Sequence, residues 1–189
     1  MALPFTAAWR TARERERRAK LVAEGLGREP EDGDVAWLAE AAANGDEDHA
    51  RWELRYARGA VGLLLAQRDA LDDRTAAELA RAIGTMLERD PRIAEDRRDL
   101  AAAQFNERLI AYREAFQVRH GPITSADALG RCLLAFASDG ARTAGTPLAY
   151  AIELLERYAE EARALLTRAY GEAKLPEDVP PSVLRERDG

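Results

Sequence analysis

"GDEDHARWELRYARGAVGLLLAQR", residues 45–68, decides the fold. Ala50, Leu54, Ala57, Val61, Leu64 and Leu71 step by threes and fours into one apolar stripe. Trp52, Tyr56, Ala60, Leu63 and Ala66 make a second stripe beside it, and "AVGLLLA" (60–66) is apolar all round. A helix without a polar face is buried on most sides, so this stretch predicts a central helix over about 47–70. Seven apolar residues are too few to span a bilayer. Gly59 and Gly62 each cost a helix about 1 kcal/mol relative to alanine, and close approach by another helix is the expected return.

The first half of the stretch raises a chemical question, because it gathers Asp46, Glu47, Asp48, His49 and Glu53. Asn44-Gly45 reads as the end of one helix and Asp46 as the cap of the next. Glu47 and Asp48 then fall in the first turn, where the helix dipole favours negative charge. Glu47 and Arg51 are spaced for an i, i+4 pair. What remains is His49 and Glu53, four apart on one face, a spacing that suits two metal ligands. A helical-bundle di-metal site needs two Glu-x-x-His motifs and two further carboxylates. This chain offers one Asp46-x-x-His49, and its other histidine, His120, stands at a helix end in "VRHGP". The expectation is a His49–Glu53 ion pair or hydrogen bond, with no metal and no cofactor.

Working outward, punctuation divides the chain into further helices. Thr6 is placed to cap a helix to about 24. Asp34 is placed to cap "VAWLAEAAA". Thr75-x-x-Glu78 reads as a capping box for a helix to about 89. Asp90 followed by Pro91 reads as the start of a helix to Arg119, ended by His120, Gly121 and Pro122. Thr124 or Ser125 starts a sixth helix to about Ser138, and Thr146-Pro147 a seventh ending near Gly171. The stripes Ala101–Phe105–Leu109–Tyr112–Phe116, Leu129–Cys132–Leu133–Phe136 and Leu148–Ile152–Leu155–Ala159–Ala162–Leu166–Ala169 agree with helices. No period-two run rich in β-branched residues and no repeat of solenoid length is present. The predicted fold is all-α: an irregular bundle of six or seven helices in a single domain over 1–171. A basic N-terminal arm (about 6–24) opens it, and a Pro-rich charged tail (172–189) closes it.

Composition agrees with a globular domain: 189 residues, 47% hydrophobic and 33% charged. Net charge is −6, and 26 of the 28 basic residues are arginine. A lone cysteine, Cys132, excludes an internal disulfide and sits in an apolar stripe, as a small buried hydrophobe would. The N-terminus lacks the order of a secretory signal, which points to the cytoplasm.

Few other stretches carry chemistry. "DGARTAGTP" (139–147) has glycines five apart before a helix, but lacks lysine and a preceding strand. At most Arg142 would help hold an anion there. Three serines, none in Gly-x-Ser-x-Gly, give no nucleophile. Asp72-Asp73 falls at a helix break, where capping accounts for it. "WRTARERERRAK" (9–20) has a local charge of +4 (six bases less two acids), leaving −10 elsewhere. The arm from Arg10 to Lys20 suits an acidic protein face, including its own body or a sister subunit. The acidic remainder would repel nucleic acid.

The sequence therefore points to a non-catalytic helical binding or assembly protein, a homodimer through the faces of 47–70 and 91–119, with no membrane segment. The competing reading is an α-helical enzyme or small-molecule sensor. Its pocket would be lined by Trp52, Tyr56, Tyr112 and Phe116, with His49, Glu53, Arg55, Gln104, Asn106 or Arg142 as polar contacts.

Overall fold

The computed structural model describes residues 7–68, 72–118, 123–138 and 146–171. Among them are seven helices and no strand: α1 (Ala7–Leu26), α2 (Asp32–Ala41), α3 (Glu47–Arg68), α4 (Asp73–Glu88), α5 (Arg98–Phe116), α6 (Ser125–Ala137) and α7 (Thr146–Tyr170). Thr6, Phe5, Leu71, the stop at 119–122, Arg142 with its loop, and the tail after 171 lie outside the described residues.

The all-α bundle is as the spacing predicts, and α3 packs against each of the other six helices. From Leu54 to Ala66 every α3 residue except Arg58 is buried. Gly62 and Gly59 set how closely the neighbours approach. A methyl at Gly62 would lie 2.5 Å from both Cδ atoms of Leu26 on α1, and one at Gly59 would lie 3.2 Å from the Phe105 ring on α5. The turn into α3 uses Asn44 (φ 53°) and Gly45 (φ 85°), both left-handed, and the Gly45 amide donates to the Ala39 carbonyl at 2.8 Å. Few side chains besides Asn and Gly adopt that conformation cheaply.

Local signals located the helices better than their edges. Asp46 caps α3 through the His49 amide at 2.9 Å. Thr124 and Asp127 form a full capping box on α6. The expected Thr75 box does not start α4. Asp72 is its cap, accepting from the Thr75 amide and hydroxyl at 3.0 Å each. A carboxylate three residues earlier reaches the free amides first, so Thr75 becomes its donor and is buried. The helix expected from Pro91 begins later, after a 3-10 turn at Glu95–Arg97, and ends at Phe116. Asp90 does not cap it, because its carboxylate is drawn inward by two arginines.

Candidate functional site

A buried helix can carry charge only where each charge is paired, since an unpaired ion inside costs several kcal/mol. α3 carries Glu53, Arg55 and Arg58, and each is held by a different neighbour. Glu53, 3% exposed, accepts from Arg108 of α5 at 2.7 and 3.2 Å. The Arg108 guanidinium also lies 4.4 Å from the Phe136 ring centroid. Arg55, its side chain 5% exposed, donates to Asp90 at 2.5 Å and stacks 4.4 Å over Trp52. Arg58 pairs with Glu161 of α7 and covers the Tyr158 ring at 4.8 Å. A fourth latch omits α3: Asp34 accepts from Tyr150 at 3.0 Å and Arg157 at 2.5 Å. Asp34 is therefore no helix cap, as its position had suggested. α2 begins two residues earlier, and the buried Asp34 side chain faces α7.

These latches overturn the expected His49–Glu53 pair. Glu53 is committed to Arg108, a bidentate partner that a single imidazole cannot match. The His49 Nε2 instead meets the Phe136 carbonyl at 3.1 Å. Arg51 likewise turns from Glu47 to Asp32 (3.4 Å) and Glu29 (3.8 Å). No group of three His, Cys, Asp or Glu that could hold a metal occurs among the described residues.

Of the aromatics proposed as a pocket lining, Tyr56 and Tyr112 fill the bundle, and Trp52 and Phe116 pack against it half-buried. Tyr56 and Tyr112 are 3% and 1% exposed. Rings meet in pairs, Trp52–Tyr56 at 5.7 Å, Tyr56–Phe105 at 6.2 Å and Tyr112–Phe136 at 6.4 Å between centroids. Burial, then the Glu53 carboxylate, pushes the Tyr56 hydroxyl up to about 12, so the phenol stays protonated. Its hydroxyl reaches Gln104 at 3.4 Å, while Asn106 is exposed and Phe116 half-buried under Arg68. Cys132 is half-buried near the Ala111 carbonyl, and burial raises its thiol.

The open space lies elsewhere. α1 and α4 run side by side, Thr11 near Thr75 and Gly27 against Met86. Along them lies a groove of about 830 Å³, floored by Ala12, Ala19, Ala23, Ala82 and Met86. Trp9 stands at its start, and Arg55, Asp90 and Arg92 close its far end. The Asp90 side chain is 3% exposed and receives both arginines. Burial alone would raise its carboxyl, but the hydrogen bonds from Arg92 and Arg55 outweigh that and hold it well below the usual aspartate range. The N-terminal arm is one wall of this groove. Ala19, Val22, Ala23 and Leu26 bury α1 against its own chain, and Glu14 pairs with both Arg17 and Arg18.

The charged latches and the groove escaped the sequence reading. One signal was present: the inward positions of α5 are Ala101, Phe105, Arg108, Tyr112 and Ala115, a better helical stripe than one through Leu109 and Phe116. Demanding an apolar residue at each step passed over Arg108. No family model, curated protein or solved structure matches this chain.

Proposed function

We propose that this chain is a non-catalytic helical binding protein, acting as a homodimer, with the α1–α4 groove as its ligand face. The observation that carries the reading is an apolar-floored groove open at the surface of a bundle whose aromatic residues are otherwise packed. A volume of 830 Å³ falls within the range of small-ligand sites, about 300–1,000 Å³. The non-catalytic part is supported by the fate of the buried acids: Glu53, Asp90 and Asp34 are each tied to arginine, which leaves none poised as a base. The apolar faces of α3 are consumed within the chain, so the dimer reading passes to α5, where Leu100 and Ile110 stand 57% and 56% exposed.

Equilibrium binding of the neutral dye Nile red tests the groove. One saturable site per protomer is expected, lost in Ala82→Trp while the thermal melt is retained. Absence of a saturable site, or an unchanged one in Ala82→Trp, refutes the reading. Sedimentation tests the dimer, whose obligate interface would bury upwards of about 2,000 Å². A monomer at high micromolar concentration refutes it.

A further inference from the structure

Beside the groove, three guanidiniums surround one half-exposed carboxylate. Glu29, in the loop between α1 and α2, is ion-paired with Arg92 and lies 3.8 Å from Arg51 and 3.9 Å from Arg55 Nε. Arg55 spends its Nη2 on Asp90, and its buried Nε has no hydrogen-bond partner. At 3.9 Å, Glu29 is too far to satisfy it. A buried N–H without an acceptor is costly, so the cluster is one acceptor oxygen short. The same Arg55 and Arg92 form the end wall of the groove. If Glu29 swings away, Arg51, Arg55 and Arg92 keep the carboxylates of Asp32 and Asp90. That is a local charge of +1 (3 − 2) in a chain whose net charge is −6.

We infer that the groove takes a single anionic amphiphile, whose carboxylate or phosphate head displaces Glu29 from Arg55 and Arg92 and whose apolar chain lies over Met86, Ala82, Ala23 and Ala19 toward Trp9. The inference rests on the groove being the ligand face. An apolar floor that ends at a cluster of guanidiniums, one with a buried N–H lacking an acceptor, favours a molecule with an apolar chain and one anionic end. Glu29 is then an internal stand-in for the head group, holding the arginines until ligand replaces it.

Displacement of Nile red, all amphiphiles kept below their micelle concentration, tests this on the full chain. Dodecanoate and dodecyl phosphate are expected to displace the dye at about tenfold lower concentration than dodecyltrimethylammonium, the preference a charge-assisted hydrogen bond confers. Arg92→Gln, at an exposed position, should erase that preference and leave dye binding intact. Glu29→Gln should sharpen displacement by the anions about threefold to fivefold, the scale of a part-exposed ion pair removed from competition. Arg55→Met should act like Arg92→Gln; should it not fold, the two exposed variants still decide. Equal displacement by anionic and cationic amphiphiles, or indifference to Glu29→Gln and Arg92→Gln, overturns the inference while leaving the groove reading standing. Displacement by inorganic phosphate alone, or only by an acidic amphipathic peptide, overturns it too. Loss of saturable Nile red binding in the parent protein sinks the groove reading itself.

Discussion

Alanine at Gly62 and alanine at Gly59 should have different effects, although the two sites lie three residues apart on one buried helix. Each substitution gains the same helix propensity, about 1 kcal/mol, so that term cancels from the comparison. At Gly59 the new methyl would stand 3.2 Å from Phe105 Cε2, a few tenths of an ångström inside ordinary contact. At Gly62 it would stand 2.5 Å from both methyls of Leu26. Carbon contacts settle near 3.5–4.0 Å, so Leu26 must retreat by about 1 Å. A leucine tip can usually move, but Leu26 is 2% exposed and enclosed by the core. Overpacking of this kind costs about 1–3 kcal/mol. Gly59→Ala is therefore expected to be neutral or stabilising by up to about 1 kcal/mol. Gly62→Ala should fall below it by about 1–3 kcal/mol. Urea melts with a shared m-value measure the difference directly. A Leu26→Ala background adds an internal control: it should erase most of the Gly62→Ala penalty, because the two sites share one contact. Equal stability of the two alanine variants, or a Gly62→Ala penalty untouched by Leu26→Ala, would refute close α1–α3 approach as the reason for this glycine.

Glu53→Ala should cost up to about 3–5 kcal/mol by leaving the buried Arg108 only the exposed Glu107 carboxylate, whereas the joint change Glu53→Met with Arg108→Met should cost much less; equal losses in chemical denaturation would mean that the pair is not buried as a unit. Asp90 has its carboxyl pKa lowered in the folded state, so its contribution is fully present above the ordinary aspartate value near pH 4 and is lost as pH falls toward the lowered one. Asp90→Asn should flatten the acid limb of a stability–pH profile below about pH 4, and an unchanged limb would count against the Arg55–Asp90–Arg92 latch. Asp46→Ala should cost about 0.5–2 kcal/mol for the lost cap, while Asp48→Ala, with no cap bond to lose, should leave the melt nearly unchanged; the reverse order would place the cap elsewhere.

What the sequence made legible was periodic and local. The double stripe on 50–66 placed a buried helix, and Asn44-Gly45, Asp46 and Thr124 gave helix ends from residues a few positions apart. What stayed hidden was every interaction that needs two distant residues to be opposed. Arg108 lies 55 positions from Glu53, Asp90 lies 35 from Arg55, and Arg157 lies 123 from Asp34. A rule that sorts residues by polarity sends each of them to the surface, and for an unpaired charge that rule is physically right. It fails for Glu53–Arg108 and Arg55–Asp90 because both partners lie on inward faces and the two desolvated ions satisfy each other, while Arg157 reaches the buried Asp34 from a side chain that is 42% exposed. The same blindness misread Asp34 and Asp90 as caps, since a carboxylate before a helix has a local use that the sequence shows and a distant one that it does not. The groove was invisible for a related reason. Ala12, Ala19, Ala82 and Ala23 look like plain helix formers, and with Met86 they become a floor only because α1 and α4 lie side by side. Its charged end follows from the buried latch. Asp90 must face inward to neutralise Arg55, and in doing so it brings Arg92 to the mouth of the groove. Arg92 there takes Glu29 as its second acceptor. A pairing required by burial thus leaves an arginine where the apolar floor of the groove begins.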